Sequence, residues 1–282
     1  MLKETIYSPQ SMPNGIFSYI KAILKDIYLG HNLGKQLFIR DIKALYRNSF
    51  LGMFWAFAPA FMTAFIWIIL NSSKVIKIDV IGISYPLFAV TGTLFWQILT
   101  QSIYTTMSTI NNGKSILTKL NFPRESLLIH AFYTIGFNTL ISLSVSFAIS
   151  LFLGWQPTWS ILFIPLVIID LMIVGIALGL LFHSLFSLIA DFSKFLNIGL
   201  QLIMYVSAVI VPLPLEGNIA KVIINSNPFT HLIAFARNVY VGLPIGNAIS
   251  FSLISVFSFG LLVIGLIMYR ITMPIIIERS GS

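Results

Sequence analysis

The chain has 282 residues, of which 57% are hydrophobic and only 9% are charged, and its formal net charge is +8. A soluble domain carries about a quarter charged residues, so this composition indicates an integral membrane protein whose length is used for membrane-spanning helices. Because the chain contains no cysteine, it can form neither disulfides nor thiolate metal sites.

The N-terminal region, residues 1–48, is predicted to be cytoplasmic and helical. Residues 16–29 predict a short amphipathic helix in the membrane interface, since isoleucines recur on one face and lysines on the other. Gly30 and Gly34 predict a break after it. A basic helix then follows, with three cations spaced to share one face: Arg40, Lys43 and Arg47. These cations either bind lipid phosphates as topology determinants or meet the phosphate of a substrate headgroup.

The first predicted span covers residues 50–70, an uncharged run of about 20 residues that is long enough to cross a bilayer core. Its phenylalanines are spaced so that they align on one side of a helix: Phe50, Phe54, Phe57, Phe61 and Phe65. Trp96, near the start of the second span, is assigned to the same aromatic group. The rings either pack against other spans or line a conduit, because sugar rings present apolar C–H faces that stack weakly on aromatic side chains.

Further spans complete an all-α membrane protein with six transmembrane helices, whose membrane domain covers residues 49–270 and is followed by a short cytoplasmic tail at 271–282. The remaining spans are predicted at residues 87–107, 127–153, 159–182, 198–211 and 249–269. The very short turn after the third span predicts that the fourth span is its antiparallel neighbour. Between spans five and six, apolar runs too short to cross predict a short re-entrant helix pair.

Two small-residue patterns predict close helix contacts in the third and fourth spans. Gly175 and Gly179 are spaced for a helix contact in the fourth span, and the third span holds serines at every fourth position: Ser142, Ser146 and Ser150. Pro123 suits the first turn of a helix and Glu125 suits its positive end, so a helix is expected to restart there.

The distribution of positive charge predicts the orientation. Most lysines and arginines fall on the side that holds both termini, and the other side keeps only Lys74, Lys77, Lys221 and Arg237. The positive-inside rule therefore places both termini in the cytoplasm and the re-entrant pair on the outer face. The excess of lysine and arginine is explained by membrane topology, so no nucleic-acid partner is expected.

The ionisable residues form no recognisable catalytic or metal-binding motif. Residues 112–115 (Asn-Gly-Lys-Ser) resemble the end of a phosphate-binding loop, but Ser108 replaces the required glycine, and a span precedes it rather than a strand. The histidines are scattered, without metal-ligand spacing. Asp170 lies at hydrocarbon depth, which marks either function or a serine-bonded structural acid. A membrane-embedded transferase acting on lipid-linked sugars, with Asp170 and His183 as reactive pair, therefore stays an alternative.

Three motifs in this order resemble the ABC-2-type permeases that export polysaccharides such as O-antigen, capsule and teichoic acid. They lie at residues 40–56 with Pro59, at 119–125 and at 227–232. Residues 91–96 follow the family pattern only loosely. The resemblance covers about residues 33–269.

This resemblance implies the transmembrane subunit of an ATP-driven exporter in the bacterial inner membrane, a homodimer with two copies of a separate ABC ATPase that binds ATP and Mg. No catalytic site, metal or cofactor is expected in this chain. Lipid-linked polysaccharide would enter at the three cations and pass the aromatic wall, among membrane lipids. A coupling helix within residues 112–124 would press on the ATPase through Lys114, Lys119, Phe122, Pro123 and Arg124. An ABC-2 exporter of a drug or simple lipid would differ only in cargo.

Overall fold

The computed structural model describes residues 16–47, 52–73, 82–117, 122–187, 189, 191–212, 218–246 and 248–281. Within these ranges the chain is all-helical and contains no strand. The helices are α1 (Ile16–Tyr46), α2 (Ala58–Ser72), α3 (Tyr85–Leu117), α4 (Ser126–Phe152), α5 (Ile164–Phe186), α6 (Phe192–Tyr205), α7 (Asn218–Ser226), α8 (Pro228–Val241) and α9 (Ala248–Gly281). Short 3₁₀ segments, Gly52–Ala56 and Trp159–Phe163, precede α2 and α5.

The core is built around α3, which packs against α2, α4, α5 and α8. Every residue from 85 to 96 is buried, and Phe95 and Leu99 have no exposed surface. Apolar side chains of this kind gain free energy by packing even where lipid is the alternative, because dispersion contacts are denser inside the protein. Since α3 is enclosed on several sides, it sets the positions of the helices around it.

The predicted small-residue contact at Gly175 and Gly179 is confirmed, and its partner is α3. A Cβ atom on Gly175 would lie 2.7 Å from the Leu99 carbonyl oxygen, and one on Gly179 would lie 2.8 Å from that of Ile103. The backbones can approach this closely only because both positions lack a side chain.

The predicted pairing of the third and fourth spans is wrong. A short turn joins α4 to α5, yet α5 packs mainly against α3 and α9. The short turn brings only the end of α4 and the start of α5 together. The glycine face of α5 fits closely against α3, so α5 packs along α3 rather than along α4.

The predicted break at Gly30 and Gly34 is also wrong, because α1 is continuous from Ile16 to Tyr46. The glycines are contact points with α4. A Cβ atom on Gly34 would lie 2.7 Å from the Cβ of Ile129. A helical glycine costs about 1 kcal/mol relative to alanine, and the close packing on α4 outweighs that cost.

Three helical segments of the described chain are long and apolar enough to cross a membrane: Ser126–Phe152, Trp159–Phe186 and Ala248–Ile276. They correspond to the third, fourth and sixth predicted spans. The remaining predicted spans correspond to helices that are shorter or more polar, so the described residues provide three candidate crossings and do not establish six.

The first span is not the uninterrupted helix that the sequence predicts. Its 3₁₀ segment ends at Ala56, and α2 begins only at Ala58, with Pro59 in its first turn. Proline fits there because the N–H groups of a first turn have no partner within the helix. The 15 residues of α2 rise about 22 Å, which is less than a bilayer core.

Other boundaries also differ from the predicted ones. The helix of the second span continues to Leu117, and α9 continues through Pro274 to Gly281. The fifth span is displaced, since α6 already ends at Tyr205. The predicted helix restart is confirmed by α4, which begins directly after Glu125.

The short helices between the fifth and sixth spans are confirmed as α7 and α8. They meet at Asn227, whose side-chain oxygen accepts a hydrogen bond from the backbone N–H of Phe229 at 3.0 Å. This N-cap fixes the start of α8 and turns the chain between the two helices. Whether the pair enters the membrane stays a prediction.

Gly175→Ala is expected to lower the free energy of unfolding in detergent by about 1–3 kcal/mol, because the new methyl group would overlap the backbone of α3. Thermal unfolding of the purified protein measures the loss. Gly136→Ala is the matched control, since no described atom lies within 4 Å of the methyl group it adds to α4. Equal midpoints for the two variants would contradict the close contact of α3 with α5.

Candidate functional site

The end of α1 presents the predicted cationic face. Arg40, Lys43 and Arg47 are all exposed. The Arg40 guanidinium lies 2.7 Å from a carboxylate oxygen of Asp41, whose other oxygen lies 3.3 Å from Nε2 of His130. Lys43 and Arg47 make no ion pair with another described residue. The charge of Arg40 is therefore partly offset, while the other two cations remain available to an anion.

The aromatic residues that follow face away from the core. Phe54, on the 3₁₀ segment, is 73% exposed, and Phe61 and Phe65 on α2 are exposed as well. Neighbouring rings are in contact, with centroids 6.2 Å apart for Phe54 and Phe57 and 6.3 Å apart for the stacked pair Phe61 and Phe65. Phe50 lies outside the described residues.

An apolar cavity of about 850 Å³ separates this aromatic face from α4. Phe54, Phe57 and Phe61 line one side, and Val145 and Ile149 line the other. The cavity walls are almost entirely carbon, so it suits apolar matter such as acyl chains or ring faces.

Trp96 does not join the aromatic face. It is buried in the core, where its ring packs edge-on against Phe229 of α8, with centroids 5.9 Å apart. In this chain Trp96 therefore holds α3 against α8.

The predicted ATPase-coupling residues lie around the end of α3 and the start of α4. Lys114 is half-buried in the last turns of α3, and Phe122, Pro123 and Arg124 are half-buried just before α4. Lys119 lies outside the described residues. The Tyr269 hydroxyl of α9 donates to the Arg124 carbonyl at 2.9 Å, so this segment is attached to the last helix.

A partly buried ion cluster joins three helices at the same end of the molecule. Arg270 on α9 donates to Asp26 on α1 at 2.7 Å and to Glu125, at the start of α4, at 3.2 Å. We call these residues the Arg270 triad. Burial raises the pKa of Glu125 above its ordinary value, and it outweighs the hydrogen bond from its own backbone N–H and the charge of Arg270, which both lower it. Arg270 thereby favours the ionised form of a carboxylate that is largely removed from solvent.

Sequence reasoning did not identify the triad. The sequence marks Glu125 only as the charge at a helix start, and Arg270 only as one of the many cations on the side of the termini. Asp26 and Arg270 are 244 residues apart, so local spacing carries no sign of their contact.

At the opposite end of α3, residues 206–211 form a non-helical segment after α6. Its carbonyl groups need partners inside the protein if they lie in a membrane. Three side chains supply these partners. Tyr85 Oη donates a hydrogen bond to the carbonyl of Ile210 (3.2 Å), and Asn227 Nδ2 donates to the carbonyl of Val206 (3.2 Å). Arg237 Nη2 donates to two carbonyls, those of Ala208 (3.1 Å) and Val209 (2.8 Å). We call Tyr85, Asn227 and Arg237 the carbonyl clamp.

Arg237 is the centre of this clamp. It is only 3% exposed, and its guanidinium lies 3.6 Å from the ring centroid of Phe88, a cation–π contact. A Cβ atom on Gly92 would collide with the guanidinium, so this glycine leaves the space that Arg237 occupies. From the sequence Arg237 was counted as a cation of the outer side. Its position within an apolar run was the available sign that it is buried.

Asp170 has the structural partner that was considered for it. The Ser255 hydroxyl of α9 donates to its carboxylate at 3.0 Å, which supports the serine-bonded interpretation. His183 follows on the same helix, α5, thirteen residues later, which is about 20 Å along the axis. The two side chains therefore cannot act together, and the predicted reactive pair is wrong.

Several helices long and apolar enough to cross a bilayer define the class: a multi-pass membrane protein. The sequence profile of the ABC-2 type transporter family matches residues 33–241, and the chain belongs to that family. The family predicted from the three motifs is thus confirmed.

Curated relatives are similar over most of their length. An O-antigen export system permease protein RfbA of Myxococcus xanthus is 25% identical over 191 residues, which cover 68% of this chain and 72% of the relative. A protein of the same name from Klebsiella pneumoniae is 23% identical over 232 residues, covering 82% and 88% respectively.

Arg270→Met is expected to lower the free energy of unfolding by about 3 kcal/mol, because it leaves Asp26 and Glu125 as largely buried acids without their cation. Chemical denaturation in detergent measures the change. A triple variant, Asp26→Asn, Glu125→Gln and Arg270→Met, removes all three charges and should recover most of the stability. If it stays as unstable as Arg270→Met, charge pairing is not what the triad contributes.

Proposed function

We propose that the chain is the transmembrane subunit of an ATP-driven exporter that moves a lipid-linked polysaccharide of the O-antigen type across the bacterial cytoplasmic membrane. The similarity to O-antigen export permeases over most of the chain carries this proposal. A cationic helix end followed by exposed rings agrees with it, since a lipid-linked glycan joins an anionic headgroup to sugars. The transferase alternative loses its support because Asp170 and His183 lie far apart on one helix.

The headgroup enters at the end of α1. Lys43 and Arg47 offer exposed positive charge there, and Arg40 adds to it once a phosphate competes with Asp41. Charge-assisted hydrogen bonds to phosphate are stronger than neutral ones, so this site would select the anionic end of the substrate.

The sugars then pass the exposed rings of a homodimer. Phe54, Phe61 and Phe65 remain uncovered in one chain, and a second copy would place an equal set opposite them. Stacking of a sugar on an aromatic ring is weak and does not depend on the order of the sugar units, so the polymer can move on after each contact. The helices α7 and α8 would close the outer end between transport cycles.

Energy comes from a separate ABC ATPase in two copies, which holds ATP and Mg. It would press on the segment around Lys114, Lys119 and residues 122–124. Three contacts, made by two side chains of α9, support a mechanical link from there. Tyr269 binds the carbonyl of Arg124, and Arg270 binds both Glu125 and Asp26. A displacement of this segment would thus move α9 and α1 together.

The proposed topology predicts which loops are open to the outside. The chain has no cysteine, so a single introduced one can be labelled without background. Gln156→Cys and Asn225→Cys should react with a membrane-impermeant maleimide in intact cells, whereas Ser193→Cys should react only after the cells are opened. All three positions are exposed. Labelling of Ser193→Cys in intact cells would contradict six crossings with cytoplasmic termini.

Combined Arg40→Ala and Arg47→Ala substitutions are expected to reduce surface polysaccharide about tenfold or more, because two charge-assisted contacts to the headgroup are lost. Quantitative blotting of the surface polymer measures export, and the ATPase rate of the purified complex shows whether coupling survives. Lys194→Ala is the control, since it removes an exposed cation paired with Asp191. Normal export by the double variant would remove the entrance role.

A further inference from the structure

A second cavity, of about 440 Å³, lies between α2, α3 and α4. It is distinct from the apolar cavity, because it opens on the side of α2 that carries Pro59 and Ala60. Its polar lining comes from one face of α3 and from consecutive turns of α4: Gln97, Thr100, Gln101 and Tyr104, with Asn138 and Ser142. The spacing of these residues aligns them along each helix.

Half of these polar side chains have no protein partner. Gln97 donates to Thr63 at 3.2 Å, Tyr104 donates to Asn197 at 3.3 Å, and Thr100 donates to its own helix. By contrast, the side chains of Gln101, Asn138 and Ser142 make no hydrogen bond with any other described residue. All three are half-buried.

These groups lie in the middle of predicted spans, where water is scarce. An amide or hydroxyl without a partner costs several kcal/mol in hydrocarbon, so such side chains normally face a polar pathway or site. The cavity therefore requires a polar occupant. Its lining includes no charged side chain, which favours a neutral ligand rich in hydroxyl groups over an anion.

The position of the cavity relates it to the cationic face. Tyr46 lines it, and Tyr46 is the neighbour of Arg47 and lies one helical turn from Lys43. A ligand whose phosphate is bound by those cations would bring its first neutral units to the cavity. The volume lies within the usual range of small-ligand sites, about 300–1,000 Å³.

We infer that this cavity is a binding site for the sugar units next to the anionic headgroup, with Gln101, Asn138 and Ser142 bonding their hydroxyl groups. The inference rests on the proposed function and specifies where the sugar, rather than the phosphate, is recognised. The alternative occupant is water alone, in which case the cavity serves only to solvate the helix faces.

The test uses the complete transporter with its ATPase, reconstituted in vesicles, and lipid-linked glycan extracted from the host cells. Gln101→Leu and Asn138→Leu keep side-chain size while removing the amide. Each is expected to raise the glycan concentration for half-maximal ATPase stimulation about fivefold. Gln101→Asn keeps an amide and should recover part of the loss.

Two serines of α4 supply a matched pair. Ser142→Ala should shift the half-stimulating concentration about threefold, whereas Ser144→Ala should not, because Ser144 is exposed and bonds only the Leu140 carbonyl of its own helix at 2.7 Å. Because each change removes only one hydroxyl group from the same helix, a difference between the two variants reports glycan binding rather than folding.

The outcomes separate the two levels of the proposal. If glycan stimulates the unsubstituted transporter and the Gln101, Asn138 and Ser142 variants respond at the same concentration, the cavity holds water and the inference is overturned. The inference is also overturned if the variants lose thermal stability while the glycan concentration for half-maximal stimulation stays the same. If glycan neither stimulates nor crosses in the unsubstituted transporter, the proposed function itself fails.

Discussion

The fold depends on satisfying backbone carbonyl groups where helices stop inside an apolar environment. After α6 ends at Tyr205, the carbonyl clamp supplies hydrogen-bond donors to four carbonyl groups, those of Val206, Ala208, Val209 and Ile210. Arg237 contributes most, because one guanidinium bonds two carbonyls and also packs on Phe88. This arrangement permits a short α6 followed by the turn into α7 and α8, which a membrane would otherwise exclude.

The helix α3, which begins beside the carbonyl clamp, has one face that packs against α5 and another that lines a cavity. One face accepts the glycine surface of α5 at a backbone distance that no larger residue allows. The other carries amides and hydroxyls toward the cavity beside α2. This division explains why α3 is the most enclosed helix and yet is not among the most apolar segments. A polar face is tolerated in the core because protein, not lipid, surrounds it.

Buried Arg237 and half-buried Arg270 lie at opposite ends of this helix and stabilise different parts of the structure. Arg237 fixes an irregular backbone segment through the carbonyls of Ala208 and Val209. Arg270 fixes whole helices, since it joins α1, α4 and α9 through two acids. In the proposed exporter, force from the ATPase would arrive at the Arg270 triad, and the carbonyl clamp would hold the far end until α3 or α8 moved.

Local pattern in the sequence determined the helical class, the apolar helices α4, α5 and α9, the short pair divided at Asn227, the contact face at Gly175 and Gly179, and the transporter family. Tertiary structure alone decided the rest. It showed that Gly30 and Gly34 contact α4 within an unbroken helix, that α5 lies on α3 and α9, and that Phe57 separates a 3₁₀ segment from α2. Periodicity reports which face of a helix is apolar or small, because that depends on near neighbours in the chain. It does not report which distant helix covers that face, or which carbonyl or carboxylate a buried arginine reaches, because those depend on how all the helices pack together.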